Sequence, residues 1–220
     1  MKHLIMRSIA IAALFANTAS HAWDNSDNKV WLEGAVKWTL SDTLSLKLSE
    51  KIRYKQDGFE FYYRHTDTSI TWKFIPNWTL TPAFRYASAK SDGDTSSTPI
   101  WHLNLHNKAT VKGLDFNSRM RLMYSDLNHA HDRTDLRPKL SVLPSKGWKS
   151  WKLKPFIEDE IMINLNDGRL YRNRLSLGIK FSPLKRLSLS SFIMQEMTEK
   201  SSRDDWSESY NLGASARINL

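Results

Sequence analysis

The chain has 220 residues, a quarter of them charged, with 32 Lys and Arg against 23 Asp and Glu, and no cysteine. The missing thiol excludes a cysteine nucleophile, a thiolate metal site and a disulfide scaffold. After residue 22 no apolar run reaches the roughly 18 residues a helical membrane span needs, so that class is excluded too.

The first residues read as an export signal. Lys2 and Arg7 supply a positive start, "SIAIAALFANTA" a short apolar run, and Ser20-His21-Ala22 the small residues of a cleavage site. Residues 1–22 are therefore expected to be removed, leaving residues 23–220 as one exported, basic domain.

From residue 29 onward strand patterns follow one another with almost no helical periodicity between them. They fall at 29–40, 44–55, 60–74, 78–87, 100–111, 114–124, 135–142, 152–165, 170–181, 187–197 and 207–220. In 44–55, Leu44, Leu46, Leu48, Ile52 and Tyr54 oppose Ser45, Lys47, Ser49, Lys51 and Arg53. In 114–124, Leu114, Phe116, Met120, Leu122 and Tyr124 oppose Asp115, Asn117, Arg119 and Arg121. In "ITWKFIPNWTLTPAF", residues 70–84, the same alternation runs up to and away from a Pro76-Asn77 turn. A chain this polar with Trp, Leu and Phe on every second residue fits strands whose outer face meets lipid, because such strands need apolar residues at only half their positions.

The connections alternate as well. Ser41-Asp42, Ile75 to Asn77, Lys112-Gly113, Leu143 to Ser150 and Ser182 to Arg186 are mostly short. Gln56 to Phe59, Ala87 to Pro99, Ser125 to Thr134, Asn166 to Arg169 and Thr198 to Trp206 are generally longer and more polar. That contrast predicts short periplasmic turns and longer extracellular loops. Aromatic residues gather at both strand ends, as interfacial belts do: Trp38, Trp72, Trp78, Trp148 and Trp151 beside the short turns, Trp101 and Tyr171 near the loops. The fold class predicted is all-β, a transmembrane antiparallel β-barrel. Eleven strand patterns sit awkwardly with the even numbers of such barrels. If residues 23–28 add a short first strand the count is twelve, the number expected here, with ten as the fallback.

The last ten residues, "NLGASARINL", resemble the C-terminal recognition strand of bacterial outer-membrane barrels, with Gly213, Ile218 and Leu220 as its assembly signal; the usual terminal aromatic is replaced by Leu220. Small barrels of this length with basic interiors resemble the oligogalacturonate-specific monomeric porin family, and equally a related family of uncharacterised small outer-membrane barrels. The segment "NKVWLEGAVKWTLSDTLSLKLSEKIRY" and the later hairpins carry the likeness over residues 29–220. The resemblance implies a twelve-stranded monomer in a Gram-negative outer membrane, inserted by the barrel-assembly machinery and passing acidic oligosaccharides.

The polar parity is strongly basic. Lys37, Lys47, Lys51, Arg53, Lys73, Arg85, Lys108, Arg119, Arg121, Arg137, Lys139, Lys152, Lys154, Arg172, Arg174, Lys180 and Arg217 face Glu33, Asp67, Asp115, Asp135, Glu158, Glu160 and Glu196. In a water-filled tube with low-dielectric walls this excess concentrates anions. Arg119/Arg121 and Arg172/Arg174 set two guanidinium forks about 7 Å apart along a strand. The function expected is therefore passive diffusion of small anionic solutes, with no cofactor, no metal and no catalytic residue. A closed interior in which Arg and carboxylates satisfy one another is the alternative. Reversal of Arg119 and Arg121 to Glu is expected to shift selectivity without harming the fold.

A second alternative is a lipid-modifying enzyme. His102 and His106 share a strand parity with Asn104, and His129 and His131 lie in "DLNHAHDRTD", yet no nucleophile signature picks out a partner. These residues read as polar rim and loop groups. "SDGDTSS" at 91–97 lacks the acidic closing residue of a calcium loop and reads as a loop tip. The cations alternate with apolar residues and form no single patch, so nucleic acid is not an expected partner. Glu50 and Asp159 break the rule by falling on the apolar parity. A bulge would turn them inward; an oligomer contact would cover them.

Overall fold

Alternation at period two carries the chain through eleven strands in the computed structural model, which describes residues 28–55, 60–91, 94–127, 132–148, 152–200 and 205–220. The strands are β1 (Lys29–Thr39), β2 (Leu44–Lys55), β3 (Glu60–Ile75), β4 (Trp78–Ser91), β5 (Asp94–Val111), β6 (Leu114–Ser125), β7 (Arg133–Pro144), β8 (Lys154–Asn164), β9 (Arg169–Leu184), β10 (Leu187–Glu199) and β11 (Trp206–Asn219). Each pairs antiparallel with the next, and β1 pairs with β11 to close a barrel. The expected signal at residues 1–22 lies outside the described residues.

The expectation of twelve strands, and the fallback of ten, give way to eleven. With an odd number the first and last strands run the same way, so the closing pair is parallel, from Lys29 opposite Asn211 to Lys37 opposite Asn219. Parallel pairing is slightly weaker per residue, but it leaves no edge at which a further strand could add. The seam continues to the last residue: the Leu220 amide donates to the Lys37 carbonyl at 2.8 Å, and the Thr39 amide donates to the Leu220 carbonyl at 2.9 Å.

The expected contrast between turns and loops is weaker than the sequence suggested. Residues 87–99 are mostly strand, since β4 and β5 stay paired from Ala87 opposite Thr98 up to Ser91 opposite Asp94. Thr and Ser on these flanking residues suit a paired ladder. The turn end, marked by Pro76-Asn77 and Lys112-Gly113, also carries the longer connection from Ser145 to Leu153, which folds back through a Trp148–Leu153 bridge.

Which residues face inward follows from the parity. Ser45, Ser49, His65, Asp67, Arg85 and Arg137 are buried, while Leu48, Ile70, Trp72, Leu103, Leu122 and Leu177 on the other parity are exposed on the outer wall. Bulges shift the parity locally. Opposite β8, Met162 pairs with Arg172 and Ile163 with Leu170, so Tyr171 is the extra residue on β9. Tyr171 was expected in an interfacial belt; the bulge turns it inward, where its hydroxyl donates to Asp135 at 3.1 Å. Trp38, Trp72, Trp78, Trp101 and Trp148 stay on the outside or at the rims, and Trp151 lies outside the described residues.

Inside a barrel the side chains converge, and here rings and glycines alternate along one row of register partners. Phe156, Gly178, Phe192, Gly213 and Trp31 follow one another across β8 to β1. A Cβ on Gly213 would stand 2.0 Å from the Phe192 ring, and one on Gly178 would stand 2.4 Å from the Ser191 carbonyl oxygen and 2.7 Å from the Phe156 ring. Backbone cannot step aside as a ring can. Gly178→Ala is thus expected to destabilise the barrel by about 1–3 kcal/mol, measured as a lowered urea midpoint of the refolded protein; an unchanged midpoint would mean the two strands separate freely.

Candidate functional site

The inner wall encloses a cavity of about 310 Å³ at mid-barrel and another of about 370 Å³ toward the turn end. They share Glu33, Lys47, Lys180, Ser190 and Ser215 in their linings, so they adjoin along the inside of the barrel. Ten cations line the upper cavity against four carboxylates: Lys47, Lys51, Arg53, Arg85, Arg119, Arg121, Arg137, Lys139, Arg174 and Lys180 against Glu33, Asp67, Glu158 and Glu160. The lower cavity adds Lys152, Lys154 and Arg217 and no further acid.

Register explains how these groups meet. Arg119, Lys139, Glu160, Arg174 and Glu196 are successive partners across β6 to β10, all on the inner parity. Three arginines converge on one carboxylate. Arg119 bonds Glu160 Oε1, Arg137 Nη2 donates to Oε2 at 2.9 Å, and Arg174 Nη1 reaches the same oxygen at 3.5 Å. Arg174 also donates through Nε to Glu196 at 2.6 Å. Across the lumen Arg85 forks onto Asp67 at 2.6 and 2.8 Å, and Lys51 meets Glu33 at 2.8 Å. Other cations keep no acid among the described residues: Arg121 donates through Nε to Asn104 at 2.6 Å, and Lys180 sits 4.4 Å from the centre of the Phe156 ring. Arg53 and Arg174 both stack on the buried Trp31 ring, at 4.0 and 4.8 Å.

The lumen is not uniform along its axis. Toward the loop end Ala87, Ile100 and Met123 form an apolar cluster with Tyr63. At the same end Met162, Asp135 and Asn211 are 1%, 2% and 0% exposed. The interior is thus filled at the loop end and hollow from mid-barrel to the turn end.

The model of a family of proteins of unknown function, DUF2490, matches residues 28–207. The chain belongs to the DUF2490 family. That match spans β1 to β10 and the first residues of β11, and a search of curated proteins gave no match. Of the two resemblances stated above it supports the coarser one, an uncharacterised family, here with a closed barrel fold; nothing singles out the oligogalacturonate porins.

Twelve of the charged residues expected to line a pore border the two cavities of this DUF2490 barrel. Lys47, Lys51, Arg53, Arg85, Arg119, Arg121, Arg174, Lys180, Glu158 and Glu160 line the upper cavity, and Lys152 and Lys154 the lower. Four do not line either. Lys73 is exposed at the turn rim; Lys108 lies there too, 3.0 Å from the buried Asp115, which also holds the Thr110 hydroxyl at 2.7 Å. Arg172 points inward above the cavity and donates to Thr198 at 3.1 Å. Sequence reasoning passed over the rings Trp31, Phe156 and Phe192, although each shares a parity with lumen charges: Phe156 with Glu158 and Glu160, Trp31 with Glu33. The idea that Arg119 could be reversed harmlessly does not survive, because a Glu there would face Glu160.

The histidines turn inward. His102 lies 3.1 Å from the Asn104 amide nitrogen and 3.9 Å from Asp67, and His106 is the register partner of Arg119. His129 and His131 lie outside the described residues. Gly213 faces the Phe192 ring, whereas Ile218 and Leu220 are exposed on the outer wall at the turn end.

Proposed function

We propose that the chain is a porin-like outer-membrane barrel whose basic lumen binds small anionic solutes and passes them by diffusion, with acidic oligosaccharides as the best-motivated class. The observation that carries this reading is the charge of the hollow section, ten cations against four carboxylates in one cavity. Enclosed by an apolar wall, that excess raises anion occupancy, and guanidinium forks replace part of a carboxylate's hydration shell at successive weak sites. No bond is made or broken. Each barrel encloses its own lumen among outer-membrane lipids, placed there by the assembly machinery through its last strand. A catalytic role at the lipid surface has little support from His102 and His106, whose side chains turn away from that surface.

The filled layer around Tyr63, Ile100 and Met123 favours one competing reading, a closed barrel without transport. Planar-bilayer conductance of the refolded chain, with the reversal potential read in a KCl gradient, separates the two. Open steps with an anion-selective reversal are expected. A folded but silent barrel would mean that the arginines serve the interior itself.

A further inference from the structure

We infer that the outer wall around Glu50 and Arg64 is a contact surface for a second copy of this chain within the membrane. The inference rests on the outer-membrane reading of the barrel, but it concerns the lipid-facing wall and not the lumen.

The sequence left two ways to house a carboxylate on the apolar parity. A bulge is not one of them here, because β1, β2 and β3 stay in regular register around Glu50, with Gly34 and Thr66 as its partners. The nearest irregularity comes beyond it, between Arg53 and Tyr54. Glu50 therefore points outward with Leu48 and Ile52, and the Thr66 hydroxyl donates to its Oε2. A carboxylate on the lipid-facing wall, away from the interfaces, is costly to expose to hydrocarbon.

Two further observations turn a misplaced charge into a surface. The outward face of β3 beside it is polar for three positions, with Arg64, Thr66 and Thr68 all exposed. Arg64 lies diagonally next to Glu50, opposite Ile52, and makes no ion pair among the described residues. Second, the row continues through Gly34 to Ala216, so the wall there is low and flat. A Cβ built on Gly34 meets nothing within 4 Å. The barrel itself therefore has no packing need for glycine at Gly34, unlike Gly178 and Gly213, and small residues on a membrane-facing wall let a neighbour's backbone come close.

The occupant follows from the charges. Lipid tails offer neither a cation for Glu50 nor an acceptor for Arg64. A second copy offers both, since a two-fold axis sets Glu50 of each barrel against Arg64 of the other and satisfies both pairs at once. Asp159 and Glu208, the other acids on the outward parity of described strands, lack this character: Gln195 and Tyr210 both donate to Glu208. Asn173 donates to Asp159 at 2.8 Å, and the register partners of Asp159 are Leu140 and Leu175.

Because the chain has no cysteine, one introduced thiol reports contact cleanly. Thr68→Cys on the candidate face and Leu177→Cys on β9 are refolded into phospholipid vesicles, floated to establish insertion, and oxidised. The Thr68→Cys barrel is expected to give at least about tenfold more covalent dimer than Leu177→Cys, and Glu50→Leu in the Thr68→Cys background to lower that yield by about tenfold. Swapping the charges, Glu50→Arg with Arg64→Glu, restores it. Equal yields at the two cysteines, indifference to Glu50→Leu, or a swap that fails to restore dimer would each overturn the inference. A chain that does not float with the vesicles would instead bring down the membrane reading.

Discussion

Replacing Glu160 with Leu is expected to lower the stability of the barrel by about 3–5 kcal/mol, the range for removing one partner from a buried ionic cluster. The reason lies in the stoichiometry of the site. Glu160 is the one carboxylate bonded by Arg119 and Arg137 among the described residues, and it also holds Arg174. Arg174 keeps Glu196 when Glu160 goes, but Arg119 and Arg137 are left beside each other and beside Lys139. The Nε atoms of Arg119 and Arg137 already have no protein partner, so no reserve acceptor stands ready. Equilibrium urea unfolding of vesicle-inserted protein, followed by tryptophan fluorescence, measures the effect. Glu160→Gln, which keeps the shape and one acceptor oxygen, is expected to fall between Glu160→Leu and the native chain. A loss below about 1 kcal/mol would show that water in the lumen already screens the arginines.

The second large effect is on ion selectivity. Arg121→Glu, Lys47→Glu and Lys180→Glu together turn ten cations and four carboxylates in the upper cavity into seven of each. These three make no ion pair among the described residues, so their reversal breaks no salt bridge. The reversal potential in a KCl gradient is expected to collapse from the anion-selective value toward zero, with the urea midpoint little changed. An unchanged reversal potential would mean that permeating ions never meet this section of the wall. Arg119 is deliberately left out, because a carboxylate placed there would repel Glu160 and confuse selectivity with stability.

Much of this barrel is legible in the amino-acid sequence. Strand parity is a strictly local signal: a residue's side of the sheet is set by the pleat, so Leu44, Leu46 and Leu48 declare an outer face and Ser45, Lys47 and Ser49 an inner one. The inner location of the cations at Lys47, Arg85, Arg119 and Arg174 followed from that alone, as did the absence of helices among the described residues. Local signals failed where pairing, not pattern, decides. Tyr171 shares the parity of outward residues, and only its partner strand, where Met162 and Ile163 are adjacent but Leu170 and Arg172 are not, shows that it is the bulged residue. Residues 87–99 looked like a loop by composition, yet 87–91 and 94–99 are strand because β4 and β5 pair up to Ser91 opposite Asp94.

What the sequence determined by itself was the alternation, the sign of the inner face and the outward placement of Glu50 and Asp159. Each is a property of one strand and needs no knowledge of its neighbours. The number of strands, the parallel seam between β1 and β11, the convergence of Arg119, Arg137 and Arg174 on Glu160, and the filled loop end were decided only by the closed structure. Closure fixes how far each strand slides past the next. That slide, invisible along the chain, sets which charges meet across the wall and how much of the interior is left hollow.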